Sequence, residues 1–188
     1  MRTECTEQEL VAKCIDGDSS ACRQLYEEYG GQLFAISLRY IGNHETAEDV
    51  FHDGFLRIIQ SLQKFRYMGP GSLKAWMSRV MVNEALGYLR KRNAQMQQEV
   101  EVDVIPDLED DDEEDDAVDE IPHAELLKLI SELPDGYRTV FNLYVFEEKS
   151  HKEIADVLGI TEHTSSSQFY RAKTLLIKKI NEYKKKHQ

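Results

Sequence analysis

The chain has little that could cross-link or stiffen it. Its three cysteines, Cys5, Cys14 and Cys22, stand nine and eight residues apart, so no CxxC pair and no disulfide framework exist. Free thiols in a reducing compartment are the expectation. Combining these cysteines with any of the six scattered histidines gives no recognisable zinc spacing. No apolar run approaches the ~20 residues that span a bilayer. The opening MRTECTEQEL also lacks the apolar centre of a secretory signal. A cytoplasmic protein without stable membrane insertion is therefore expected. No nucleophile–base pair, no glycine-rich phosphate cradle and no metal-ligand constellation can be read from the order of residues. Neither catalysis nor a cofactor is expected. With only four prolines and ten glycines in 188 residues, long stretches run uninterrupted with helical periodicity, which predicts an all-α fold.

Charge is plentiful but unevenly placed. The formal net charge is −12, yet residues 99–120, EVEVDVIPDLEDDDEEDDAVDE, hold 14 acidic residues and no Lys or Arg. The rest of the chain has 21 acids against 23 bases. So dense a run of like charge repels itself and has little apolar surface to bury, which predicts an extended, flexible linker. It lacks the glycine turn and ligand spacing of a calcium loop. The expected organisation is two small helical domains, residues 1–96 and 121–188, joined by an acidic linker over 97–120.

In the first domain, Thr6 and Glu9 form a capping box ahead of an apolar stripe of Leu10, Val11, Cys14 and Ile15. Gly17 stops that helix. A second helix should bury Ala21, Leu25, Tyr29, Leu33, Phe34 and Leu38, with Tyr26 also in the core and Gly30-Gly31 bending or breaking it. Asn43 caps a third, whose Ala47, Val50, Phe51, Gly54, Phe55, Ile58 and Leu62 make a continuous apolar face. Its opposite face carries Asp49, His52, Asp53 and Arg57. Gly69-Pro70-Gly71 forms a loop and Ser72 is placed to cap the next helix. There Leu73, Met77, Val80 and Leu89 face inward, while Arg79, Asn83 and Arg90 form a polar stripe extended by Lys91 and Arg92. Arg66, Tyr67 and Trp76 complete a set of parts suited to single-stranded nucleic acid: cations for phosphate, rings for stacking and Asn for a base edge. Trp76 fits a core position equally well.

In the second domain a helix ends before Pro134, and another carries Val140, Leu143, Tyr144 and Phe146. Ser150 and Glu153 form a second capping box, starting a helix with Ile154, Val157 and Leu158 buried. Gly159 supplies a turn, Ile160 fills it and Thr161 caps the last helix. This is the order of a helix-turn-helix, whose second helix enters the major groove. His163, Thr164, Ser166, Ser167, Gln168, Arg171 and Lys173 are its expected DNA-facing residues. Phe169, Ala172, Leu176 and Ile180 hold it to its own domain. Ser165 stands where an apolar anchor is usual, which predicts a loosely packed corner.

Taken together, these motifs resemble the extracytoplasmic-function type of sigma factor of bacterial RNA polymerase. AEDVFHDGFLRII resembles the family's polymerase-binding helix, with His52 where Gln is common. LKAWMSRVMVNEALGYLRKR is similar to its promoter-melting segment through Trp76, Asn83 and Arg90. The segment from Leu133 to Leu176 resembles region four through LP-x-x-x-R, E-I-A-x-x-L-G-I and R-A-K. The resemblance implies that Asp49, His52, Asp53 and Arg57 dock on the clamp helices of the largest subunit of core RNA polymerase. It also implies that Arg66, Tyr67, Trp76, Arg79, Asn83, Arg90, Lys91 and Arg92 engage the melted minus-ten element, and that the last helix reads the minus-thirty-five duplex. An anti-sigma factor is implied as a regulatory partner. Ser165 and Ser166 replace the Val-Lys common at those positions, so promoter sequence does not carry over. A self-sufficient helix-turn-helix regulator that binds duplex DNA without polymerase is the alternative.

Overall fold

The computed structural model describes residues 6–96 and 121–187. The acidic run expected as a linker lies outside them. The chain divides into two compact units, Met1–Gln98 and Glu99–Gln188. Among the described residues every regular element is helical.

The first unit contains α1 (Glu7–Ile15), α2 (Ser19–Ile41), α3 (His44–Ser61), a 3-10 turn (Leu62–Lys64) and α4 (Ser72–Met96). Helices α2, α3 and α4 pack against one another around Leu25, Leu33, Phe51, Ile58, Leu73, Met77 and Met81, and α1 closes one end with Leu10, Val11 and Cys14. The tightest approach is at Gly54 on α3, where a β-carbon would lie 2.7 Å from the Met81 sulfur of α4. The Thr6–Glu9 capping box forms as expected, and the Asn43 side chain accepts from Thr46 N at 3.0 Å. Helix α2 runs unbroken through Gly30-Gly31, with Gly30 buried against Phe51 of α3 and Gly31 exposed. Tyr26 departs from its expected core position. It is 44% exposed, its ring meeting Phe55 at 5.1 Å and Phe51 at 5.7 Å on α3. Ile15, at the last turn of α1, is also exposed.

The start of α4 corrects a second expectation. Ser72 is already inside the helix, and its hydroxyl accepts from Met68 N at 3.2 Å. The cap comes from α1: Glu7 Oε1 accepts from Gly71 N at 2.8 Å and Oε2 from Leu73 N at 3.4 Å. A carboxylate there satisfies orphan amides and meets the positive end of the helix dipole.

The second unit contains α5 (His123–Ser131), α6 (Asp135–Val145), α7 (His151–Leu158) and α8 (Glu162–His187). Its core joins Ile130, Leu133, Tyr137 and Phe141 to Ala172, Leu176 and Ile180 of α8. Arg138 is buried and binds the α5–α6 turn from inside. Its Nη1 donates to Ser131 O at 2.9 Å and Leu133 O at 2.6 Å, and Nη2 donates to the Asp135 carboxylate. The Ser150–Glu153 capping box and a left-handed Gly159 (φ 69°) bound α7, as the sequence predicts. Ile154 is fully buried, while Val157 and Leu158, expected to be buried, are half-buried.

Replacing Glu7 by Ala should lower the stability of the first unit by about 0.5–2 kcal/mol, the usual worth of a helix cap. The sole tryptophan, Trp76, lies on the capped helix, so its fluorescence during urea denaturation reads this loss directly.

Candidate nucleic-acid and protein interfaces

Three surfaces carry the residues singled out by sequence. On α3, Asp49, His52, Asp53 and Arg57 are all exposed on one side. Arg57 Nε also reaches across to α4, meeting Glu84 Oε2 at 2.8 Å, so its charge is partly neutralised by its own unit. Leu56 was missed by sequence reasoning. It is 59% exposed within this charged face, and its position seven residues after Asp49 was the available signal. Beside it a cleft of about 280 Å³ opens between α2 and α3, walled by Tyr26, Phe34 and Phe51 and rimmed by His44, Glu48 and His52.

The second surface joins the loop after the 3-10 turn to α4. Arg66, Tyr67, Arg79 and Asn83 are exposed there. Trp76 is half-buried, its ring 5.6 Å from Phe65 and packed against the core, which leaves one edge at the surface. Arg90, Lys91 and Arg92 do not join this group. At 1.5 Å per residue, Arg90 lies about 21 Å further along the helix than Trp76. There Arg90 Nε donates to Leu86 O at 3.4 Å, and the Arg92 guanidinium lies 6.0 Å over the Tyr88 ring. The sequence-predicted set is thus spread from the loop, with Arg66 and Tyr67, along α4 through Trp76, Arg79 and Asn83 to Arg90, Lys91 and Arg92, about 10 Å beyond Asn83.

The third surface is α8. Thr161 caps it as expected, accepting from Thr164 N at 3.0 Å. His163, Arg171 and Lys173 are exposed, and Ser166, Ser167 and Gln168 half-buried. Ser166 Oγ donates to His163 O at 3.0 Å, and the Thr164 and Thr161 hydroxyls are 2.8 Å apart. Gln168 leans toward the start of α6, where a β-carbon on Gly136 would lie 3.5 Å from its Nε2. Arg171 Nη1 donates to the Tyr137 hydroxyl at 3.5 Å. Tyr170, absent from the sequence-based set, is 52% exposed. Its spacing of seven from His163 and three from Ser167 puts it on the same face.

The corner between α7 and α8 is not loose. Ser165 is completely buried, with its hydroxyl 3.0 Å from His151 Nδ1. The imidazole stacks on Tyr144 at 4.7 Å and meets Phe169 at 5.7 Å. A polar pair fills the place of the apolar anchor, and the partner offsets the cost of taking a hydroxyl out of water. Just before it, hydrogen bonds from the Ser150 hydroxyl and amide hold the Glu153 carboxyl below its ordinary 4.5. Burial and a hydrogen bond with Cys22 push the Cys14 thiol up to about 12, so it is an inert core group.

Comparison with known families joins these surfaces. The model described as "Sigma-70 region 2" matches residues 25–95, and that described as "Sigma-70, region 4" matches residues 123–176. The chain belongs to the extracytoplasmic-function sigma factors. Similar relatives of this sigma factor include the ECF RNA polymerase sigma-E factor of Haemophilus influenzae, 26% identical over 96% of this chain and 98% of that one. The RNA polymerase sigma-H factor of Pseudomonas aeruginosa is 26% identical over 95% of each chain. SigV of Bacillus subtilis is 22% identical over 94% of each. Among solved structures, the sigma factor RpoE of Bartonella quintana, in complex with the anti-sigma factor NepR, is 20% identical over 85% of this chain and 96% of that one, with a TM-score of 0.48. In this sigma factor the region 2 match takes in the α3 face and the α4 clusters, and the region 4 match takes in the α7–α8 corner.

Two outcomes follow. Ser165→Ala, which strands the imidazole, should cost the second unit about 1–3 kcal/mol, and Ser165→Val with His151→Leu should recover most of it. Hydrogen exchange of α8 amides measures both. Glu153 titrates lower folded than unfolded, so its contribution is complete above pH 4.5 and is lost as pH falls through the lowered folded value. Lower protection at the start of α7 over that window, relative to the intrinsic exchange rate at each pH, is the readout.

Proposed function

We infer that this sigma factor is a dissociable promoter-specificity subunit: it binds core RNA polymerase and directs initiation at promoters with minus-ten and minus-thirty-five elements. The observation that carries this reading is the ordered presence of both sigma regions on one chain. Its partners are core polymerase and promoter DNA, duplex and melted, and an anti-sigma factor is a further proposed partner. It acts by binding alone and performs no covalent chemistry of its own, and its place of action is the cytoplasm. Among the described residues no helix is long and apolar enough to cross a membrane.

The division of labour follows the domains. Residues 1–96 dock on polymerase and hold the melted minus-ten strand, 97–120 tether, and 121–188 read the minus-thirty-five duplex. Asp49, His52, Asp53 and Arg57 meet the clamp helices, with Leu56 supplying apolar contact at the centre of that face. Arg66, Tyr67, Trp76, Arg79 and Asn83 act on separated bases, and Arg90, Lys91 and Arg92 neutralise phosphates further along the strand. On α8, His163, Ser167 and Arg171 supply groove contacts, joined by Tyr170. Thr164, Ser166, Gln168 and Lys173 flank them. Captured unstacked bases offset the few kcal/mol that unstacking costs.

Pull-down of core polymerase by the full chain, followed by transcription from a random promoter library, tests the reading. Core binding with new start sites supports it. Tight, specific DNA binding without polymerase would instead favour the stand-alone regulator. On a promoter so selected, Arg171→Ala should weaken minus-thirty-five binding by roughly 10-fold, as for a lost charged groove contact, and leave core binding unchanged.

A further inference from the structure

A glycine in a helix interior weakens the helix relative to alanine, because it loses more backbone freedom on folding and packs no side chain. Gly87 stands well inside α4. Its φ is not among the positive values that favour glycine, and a β-carbon there would meet no heavy atom within 4 Å beyond its own stretch of helix backbone. Neither backbone nor packing within the unit calls for glycine at this position. Gly54 is the contrast, since its β-carbon would lie 2.7 Å from the Met81 sulfur. Gly31 of α2 is as open as Gly87, but it borders the aromatic cleft between α2 and α3 and not the polar stripe of α4.

The place of Gly87 on the helix indicates what the open space meets. Trp76, Asn83, Gly87 and Arg90 follow one another at steps of seven, four and three residues, which puts them on one face. Met77, Met81, Ala85 and Leu89 are buried on the opposite one. Asn83 and Arg90 are exposed, and exposed Lys91 continues their side. Along the helix axis, Asn83 lies about 6 Å before Gly87 and Arg90 about 4.5 Å after it. From Arg79 to Arg92 the chain has four Lys or Arg and a single acid, Glu84. That carboxylate is paired with Arg57 of α3 at 2.8 Å. The result is a bare notch of backbone with an amide on one side and cations on the other. It fits a narrow anionic chain lying close to the helix, which is a nucleic-acid strand with a base edge at Asn83 and phosphates at Arg90 and Lys91.

We propose that in this sigma factor the promoter strand crosses α4 directly over the backbone of Gly87, and that the missing side chain sets how closely the strand approaches. This rests on the promoter reading above and names the residue at which the contact is tightest. A strand seated in the notch spans the roughly 10 Å from Asn83 to Arg90, so the two ends of the stripe act on one track. Any side chain at position 87 lifts the strand and lengthens its phosphate contacts with Arg90 and Lys91, whose attraction falls with distance. The free chain thus gives up helix stability for a surface that only the DNA complex uses.

Gly87→Ala and Gly87→Leu test this, because stability and binding should move in opposite directions. In the free full-length chain, Gly87→Ala should raise the thermal midpoint of the first unit by roughly 2–6 °C, read by the fluorescence of Trp76. Binding is measured with holoenzyme reconstituted from core polymerase and a fluorescent forked probe of a library-selected promoter, its minus-ten strand unpaired. Affinity should fall about 3-fold for Gly87→Ala and about 10-fold for Gly87→Leu, as for weakened phosphate contacts, while pull-down of core polymerase is unchanged. Promoter affinity of Gly87→Leu within about 2-fold of the wild type, well inside the loss expected for those contacts, overturns the proposal. So does a Gly87→Ala chain that melts earlier than the wild type, since the fold itself would then need the glycine. Loss of core binding in either variant also overturns it, by making this face a polymerase contact. Wild-type holoenzyme that binds no promoter in the library overturns the promoter reading itself.

Discussion

Two hydrogen bonds donated by the amides of Gly71 and Leu73 to the Glu7 carboxylate hold the functional surface of the first unit in place. A helix begins with four N–H groups that no residue of the helix can satisfy. In α4 that deficit falls beside the loop that carries Arg66, Tyr67 and Met68. By bringing an acid from α1 to this point, the fold fixes the loop, aligns α4 and fastens the N-terminal helix to the bundle through one contact. The second unit answers the same constraint at a helix C-terminus. Buried Arg138 donates to the carbonyls of Ser131 and Leu133 and pairs with Asp135. That gives a physical reason for the Arg in LP-x-x-x-R: it closes the α5–α6 turn on which α8 is packed.

Electrostatics separates the work of the chain more sharply than composition suggests. The overall charge of −12 comes from one segment, and the remaining sequence carries 21 acids against 23 bases. Exposed charges further apart than about 8 Å are largely screened at physiological salt. Local sign therefore decides each surface. The α3 face mixes Asp49 and Asp53 with an Arg57 already paired to Glu84, which suits a protein partner. The loop and α4 present cations with little opposition, and the exposed side of α8 combines hydroxyls with Arg171. Both of these suit nucleic acid.

Much of this was legible because its causes are local. The Thr6–Glu9 and Ser150–Glu153 boxes span three residues, and each forms as written. Asn43, Thr161 and Gly159 likewise act on their own helix ends. Apolar spacing located the cores of α3 and α8. On α4 it missed Met81, Val82, Ala85 and Leu86 while Val80 is only half-buried, and Tyr144 and Phe146, counted with the α6 set, are exposed. What escaped depends on residues far apart in sequence. Ser72 has the right chemistry for a cap, but Glu7, from 64 residues before Gly71, takes the role. Tyr26 has core spacing, yet its ring meets Phe51 and Phe55 of α3 and stays 44% exposed. Ser165 looked like a missing anchor until His151, 14 residues earlier, supplied its partner. The exposure of Leu56, Met68 and Tyr170 is invisible to periodicity alone, since an apolar symbol in a pattern does not say whether a neighbour exists to bury it.

The His151–Ser165 pair also bears on how such proteins can be recombined. Helix α8 is a tempting unit to exchange when promoter preference is to be altered, because its exposed side can be changed without touching the core. Here its inner side is keyed to α7 by an imidazole and a hydroxyl 3.0 Å apart. A graft that brought an apolar residue to position 165 would bury it against an imidazole with nothing to bond. A graft that brought Ser165 into a host lacking His151 would bury a hydroxyl alone. The natural module of exchange in this chain is therefore the α7–α8 pair, and chimaeras cut at Gly159 would be incompatible at the seam.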